Sequence, residues 1–380
     1  MRTIHHTTRS RGGSGGQGSD LHSLLSEKIV GQPAVMSSIL PYVQMYQAGL
    51  APEGRPVGVF LLLGPSGTGK TRTVEALAGV LHGNEKSLLK IDCGEFQMEH
   101  EVAKLIGAPP GYLGHRETQP MLTQSKLNSI TSERSSLSII LLDEIEKAAP
   151  SMTRLLLGVL DKAMLRLGDN NTVNFERSII FMTSNLGARE MVREINPDFG
   201  FQAMAGLQPR NVVRKLESIG MHAMRRKFTP EFINRIDVTV TYQPLTTESL
   251  AAILEHHLTD LQAHIDNRLL TRAFDIEVSP DARQFLLDRG TSQQYGAREL
   301  KRTIHRNLVQ PIASLVAQDQ IVPGGTLYVE LSEDGQRLEM EFDEEPVRAQ
   351  PALDELAPVR SVRGGRPSST DGPRRPLRAA

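Results

Sequence analysis

The octapeptide GPSGTGKT, Gly64 to Thr71, constrains the fold of this 380-residue chain more than any other stretch. It fits G-x-x-x-x-G-K-S/T, follows the apolar run VGVFLLL (57–63) directly, and leads into TVEALAGVLH, whose apolar spacing is helical. Glycines let backbone N–H groups curl around phosphate oxygens where a Cβ would intrude. Lys70 is expected to reach the β- and γ-phosphates, and the Thr71 hydroxyl to bind Mg²⁺. The helix that follows would point its N-terminus at the anion. Gly64, Pro65, Ser66, Gly67, Thr68, Gly69, Lys70 and Thr71 are therefore the candidate phosphate-binding residues, on a loop that demands a strand before it and a helix after it.

The rest of the chain supplies that setting. LLKID (88–92), SIILLD (138–143), SIIFMTS (178–184) and VTVTY (238–242) are short, bounded by polar or turn residues, and several are almost wholly apolar. Strands covered on both faces read that way, and their alternation with helical stretches predicts an α/β domain with a mostly parallel sheet. After about Gln243 the texture changes: TESLAAILEHHLTDLQAHI, SPDARQFLLDR and ARELKRTIHRNLVQPIASLVAQ have helical spacing, and TLYVELSEDGQRLEMEF shows two alternating runs around an Asp-Gly turn. The expected organisation is a disordered lead-in over 1–20, a large α/β nucleotide-binding subdomain over 21–245 and a smaller, mainly helical lid over 246–344 that ends in a β-hairpin. A disordered tail with six prolines and seven arginines completes the chain from 345 to 380.

Composition narrows the partners. Lys plus Arg (43) nearly cancels Asp plus Glu (44), so overall charge gives no reason to expect nucleic acid or membrane, unless the arginine tail serves as an arm. The single cysteine, Cys93, excludes an internal disulfide framework and suits a reducing compartment. No apolar run approaches a membrane span, and the N-terminus lacks the apolar stretch of a secretory signal, so a cytoplasmic setting is expected.

Two further strand ends carry candidate chemistry. In SIILLDEIEKA, Asp143 closes a buried strand where a carboxylate can hold Mg²⁺, and Glu144 follows, placed to polarise a water for attack on the γ-phosphate. The plain alternative is a helix N-terminus made acidic for its dipole. Asn185 ends the strand IIFMTS and could orient the attacking water, although Asn after a strand is commonly a turn residue. The loop GAPPGYLGH sets Tyr112 between glycines, outside any apolar periodicity; a surface turn is the ordinary explanation of such a ring.

Together IVGQPAV, GPSGTGKT, KLIGAPPGYLGH, LLDEIEKA, TSNLG, FTPEFINRID and YGARELKR resemble the second ATPase module of the Clp-type AAA+ unfoldases and disaggregases, from about Leu21 to Phe342. That resemblance implies a Mg²⁺- and ATP-dependent ring of six copies that threads unfolded or tagged polypeptide through a central pore. It implies adenine contacts at Ile29 and Val30, a sensor at Asn185, a second sensor at Arg298 acting in cis, and an arginine finger at Arg235 reaching the neighbouring subunit's nucleotide. It further implies that Gly111, Tyr112, Leu113 and Gly114 form a pore loop whose aromatic ring grips the substrate. The other function class that the residues allow is an ATP-controlled assembly scaffold or adaptor that binds partners without threading them.

The chain departs from the larger members in three places. None of their N-terminal, first-ATPase or middle domains fits ahead of Leu21, so the tails or a separate adaptor are expected to choose substrates. Phe199-Gly200-Phe201 stands where peptidase-docking members carry aliphatic-Gly-Phe, and reads equally as a contact for a ClpP-like peptidase or as a turn packed on its own domain. The segment HRETQPMLTQ after the pore loop lacks the usual glycine pair.

Overall fold

The computed structural model describes residues 16–107, 120–195, 209–292 and 296–343. Five parallel strands form the main sheet: β1 (Gly58–Leu63), β2 (Leu89–Asp92), β3 (Ser138–Asp143), β6 (Ser178–Ser184) and β7 (Val238–Thr241), in the order β2-β3-β6-β1-β7. The uniform apolarity of these runs has a direct cause. Along β1, Val59, Leu61 and Leu63 enter one core while Phe60 and Leu62 enter the other; Ile140 and Leu142 of β3 part from Ile139 and Leu141 in the same way. A strand with helices on both faces has no solvent side to make polar. Phe60 stacks on Phe181 of β6 at 5.1 Å and meets Tyr42 edge-on at 5.0 Å, which ties the helix Pro33–Gln47 to the second face.

Register decides what gathers at the sheet's edge. Leu63 pairs with Ser184 across β1 and β6, and Asp92 with Asp143 across β2 and β3, so the strands end level. Parallel strands bring all their C-termini to one side, and there the ligand crevice of an α/β sheet lies. The phosphate loop, Asp143, Glu144 and Asn185 share that side. A two-stranded hairpin, β4 (Met164–Arg166) with β5 (Thr172–Asn174), stands apart from the sheet.

The lid begins with the helix Thr247–Leu269, capped by the Thr246 hydroxyl, which accepts from Ser249 N. Its hairpin is β9 (Thr326–Leu331) with β10 (Leu338–Asp343), turned at Gly335, whose φ of 68° supplies the left-handed step that the Asp-Gly pair announces. β8 (Asp275–Val278) adds a parallel partner to β9, so the lid is helices on a three-stranded sheet. The four residues DIEV, half of them acidic, carry too little strand signal to be read as such. The helix starting at Ala297 is interrupted by a π-turn over His305–Val309 and resumes at Gln310–Ala317; Pro311, which has no N–H, lies two residues beyond the turn.

One expectation is corrected. The first helix runs Gly16–Lys28, so the end of the lead-in expected to be disordered over 1–20 is helical. Leu21 and Leu25, one turn apart, are buried in the second core, and a helix anchored there extends backward by adding one hydrogen bond per residue. Among the described residues no helix is long and apolar enough to cross a membrane.

Candidate nucleotide site

Gly67 and Gly69 adopt φ values of 75° and 97°, and the helix Lys70–His82 opens at once from Gly69. Gly64 cannot be replaced without disturbance, because a Cβ there would stand 2.8 Å from the Tyr242 carbonyl oxygen. Tyr242 is wholly buried, and its hydroxyl donates to Thr73 Oγ1 at 2.8 Å, fastening the end of β7 to the same helix.

Lys70 lies folded over the loop. Its Nζ donates to Gly64 O at 2.7 Å, Pro65 O at 2.8 Å and Asn185 Oδ1 at 2.9 Å. Burial pushes its pKa down to about 8, against the opposing pull of Glu146, Asp143 and Glu144; Arg298 adds to the lowering, which places the Arg298 charge within range of Lys70. An ammonium satisfied by carbonyls of its own loop can turn the same donors to a phosphate. Asn185 links the rest: Oδ1 also accepts from Ser66 Oγ at 3.4 Å, and Nδ2 donates to Glu144 Oε1 at 3.2 Å.

Thr71 Oγ1 donates to Asp143 Oδ1 at 3.4 Å, and Thr183 Oγ1 donates to the same oxygen. Lys90 Nζ lies 3.4 Å from Asp143 Oδ2, a cation already held against this carboxylate. One hydroxyl and one carboxylate, with a neighbouring charge to exchange, fit Mg²⁺, a hard ion that completes its shell with phosphate and water. Glu144 itself adopts φ 56°, uncommon for a residue with a side chain, and is fixed by its N–H donating to Thr183 Oγ1 at 3.0 Å and by a Lys147 ion pair on Oε2.

The lid touches the loop through backbone. Ala297 N donates to Gly67 O at 3.1 Å, and Gly296, at φ 51°, approaches so closely that a Cβ would lie 2.9 Å from that oxygen. Gln32 bridges from the other side, its Nε2 donating to Gln243 O at 2.8 Å while its Oε1 accepts from Gln243 N at 3.2 Å. Beside the loop a cavity of about 360 Å³ opens, with Ser66 and Thr68 on one wall, Val192 and Leu216 on another, and Leu245 with Leu250 of the lid on a third. Ile29 and Val30 do not line it among the described residues; Ile29 packs on the second core.

Arg235 stands elsewhere. It precedes β7 by three residues, and Asp237 N donates to Val59 O near the start of β1, so Arg235 is at the N-terminal ends of the strands. From Val59 to Gly64 is roughly 16 Å along an extended chain at ~3.3 Å per residue. Its Nε lies 2.9 Å from Asp161 Oδ1 without hydrogen-bond geometry. Arg235 is far from its own phosphate loop. Gly111, Tyr112, Leu113 and Gly114, and Phe199-Gly200-Phe201, lie outside the described residues.

With this geometry in hand, comparison with known proteins places the chain. The family profile described as AAA domain (Cdc48 subfamily) matches residues 55–239, and that of the C-terminal, D2-small domain of ClpB protein matches 245–329. The chaperone protein ClpB of Pseudomonas putida is 37% identical over 314 residues, 83% of this chain and 34% of that protein. The chain belongs to the Clp-type AAA+ ATPases. ClpB of Meiothermus ruber is 36% identical over 309 residues, 81% of this chain and 34% of its own length. S. cerevisiae Hsp104 in complex with casein superposes with a TM-score of 0.71 at 27% identity, covering 85% of this chain and 52% of that one. This AAA+ chain thus spans about a third of the length of the curated relatives it matches.

The sequence reading named Lys70, Asp143, Glu144 and Asn185 but gave no role to Gln32, Thr183, Gly296 or Glu146, although each lies within a motif that carries the Clp-type resemblance. Thr183 had a signal: a hydroxyl residue near the end of an otherwise apolar strand, two residues before Asn185.

Proposed function

We propose that this chain is the ATP-hydrolysing motor of a protein-remodelling ring, built from a nucleotide-binding subdomain over 21–245 and a lid over 246–344. The observation that carries the reading is the separation of Arg235 from its own phosphate loop, while Lys70, Asp143, Glu144 and Asn185 converge on it. An arginine at the far end of the sheet that acts on a nucleotide would act on one bound by another copy; the family's ring of six supplies that copy. The Hsp104 complexes with casein support polypeptide as the substrate class.

Lys70 and the loop N–H groups would hold the β- and γ-phosphates of ATP, Thr71 and Asp143 would hold Mg²⁺, and the cavity beside Thr68 would take the base. Mg²⁺ supplies charge neutralisation across the phosphates. Glu144, once it lets go of Lys147, is free to take a proton from the attacking water, with Asn185 setting that water's direction. Arg298 on the lid senses the bound phosphates in cis. Arg235 closes the site from the neighbour, stabilising charge that develops in the transition state. Tyr112, between Gly111 and Leu113-Gly114, would grip the threaded chain. A cytoplasmic setting accords with the buried free thiol of Cys93.

The test is ATP-dependent unfolding of a stable fluorescent protein bearing a disordered tail, by wild type and Tyr112→Ala, with turnover followed in the same samples. Unfolding lost while hydrolysis persists is the expected result. Hydrolysis without unfolding by the wild type would favour an assembly scaffold, or a missing adaptor.

A further inference from the structure

Glu146, two residues past Glu144, has no place in the chemistry above, yet it reaches the same strand end. Its Oε1 accepts from Asn185 N at 2.9 Å, while Glu144 Oε1 accepts from the Asn185 amide. Asn185 is therefore gripped twice by one turn of chain, once through its backbone and once through its side chain. The second oxygen of Glu146 is buried and without a hydrogen-bond partner among the described residues. A half-satisfied buried carboxylate is costly, and a fold that only needed to end β6 could have used water or an amide instead.

We infer that Glu146 is a positioning residue for hydrolysis: by holding the Asn185 backbone it aims the Asn185 amide between Lys70, Ser66 and Glu144. Asn185 Oδ1 accepts from both Lys70 Nζ and Ser66 Oγ, so a tilt of its peptide disturbs phosphate-loop and base contacts together.

The inference rests on the ATPase reading, and two measurements keep them apart. The first is amide hydrogen exchange over 183–186 in the full chain, which needs no turnover. Glu146→Ala and Glu146→Asp, which loses the acceptor or its reach, should speed exchange of the Asn185 amide, whereas Glu146→Gln should leave it protected. Exchange unchanged in Glu146→Ala overturns the inference. The second is steady-state hydrolysis: kcat should fall about tenfold in the Ala and Asp variants with KM little changed, and Gln should recover at least half of it. In an Asn185→Ala background, Glu146→Ala should cost nothing further. Additive losses would mean that Glu146 acts elsewhere and would equally overturn it. A wild type without turnover sinks the ATPase reading and leaves the exchange result to judge this one.

Discussion

The two ends of the main sheet are built to different rules. At the C-terminal ends each candidate side chain is held by several others: Lys70 by three acceptors, Asp143 by two hydroxyls and Lys90, and Asn185 by Lys70, Ser66, Glu144 and Glu146. At the N-terminal ends Arg235 has only Asp161 among the described residues, at a poor angle and partly in solvent. A group that works on its own subunit's ligand can be fixed in advance. A group that works on a neighbour's ligand must be able to leave its resting partner, and a weak half-exposed ion pair permits that.

The sharpest way to break this contrast is to remove one cation from each end. Lys70→Ala should abolish nucleotide binding, read with a fluorescent ATP analogue. Arg235→Ala should bind the analogue like the wild type yet lose turnover by about 10³-fold, the scale of an arginine finger. Equal effects on binding would mean that the two ends serve one site, and undistinguished turnover would end the argument for a finger. A smaller effect should come from the joint between lid and loop. Gly296→Ala forces a Cβ into Gly67 O at a left-handed φ, and should weaken nucleotide affinity about tenfold with the melting of the large subdomain unmoved. Melting that falls along with affinity would make the joint a folding contact instead.

The smallest expected effect lies away from both ends. His82 closes the helix that begins at Lys70, is buried beside Ser132 Oγ at 3.1 Å, and has its pKa lowered by burial. The unfolded chain takes up a proton near 6.5 that the folded chain resists, so stability is complete above that pH and is lost as pH falls below it. The melting temperature of wild type should drop by a few degrees more than that of His82→Gln over that descent. Parallel pH profiles for the two proteins would show that His82 does not titrate the fold.

Much of the sheet end was open to reading from residues alone, because its signals are local. Five strands buried on both faces leave runs with no polar side, and the phosphate loop states its own geometry in glycines. What stayed hidden depends on distance in the chain. Glu146 meets Asn185 across 39 residues, Gln32 meets Gln243 across 211, and neither contact leaves a mark in its own neighbourhood. β8 was missed because DIEV gains its strand identity from β9, some fifty residues on, and the helix from Gly16 because its glycines and serine lend it no propensity beyond what Leu21 and Leu25 anchor.

The contact of Gly296 and Ala297 with Gly67 has one more consequence. It is written entirely in peptide groups, so what the contact itself asks of position 296 is the absence of a side chain. An inventory of side chains would pass over the place where the two halves of the subunit meet, since its signature is an atom that is not there. That hydrogen bond ties the lid to the phosphate loop backbone to backbone, as a hinge pin ties a door to its frame.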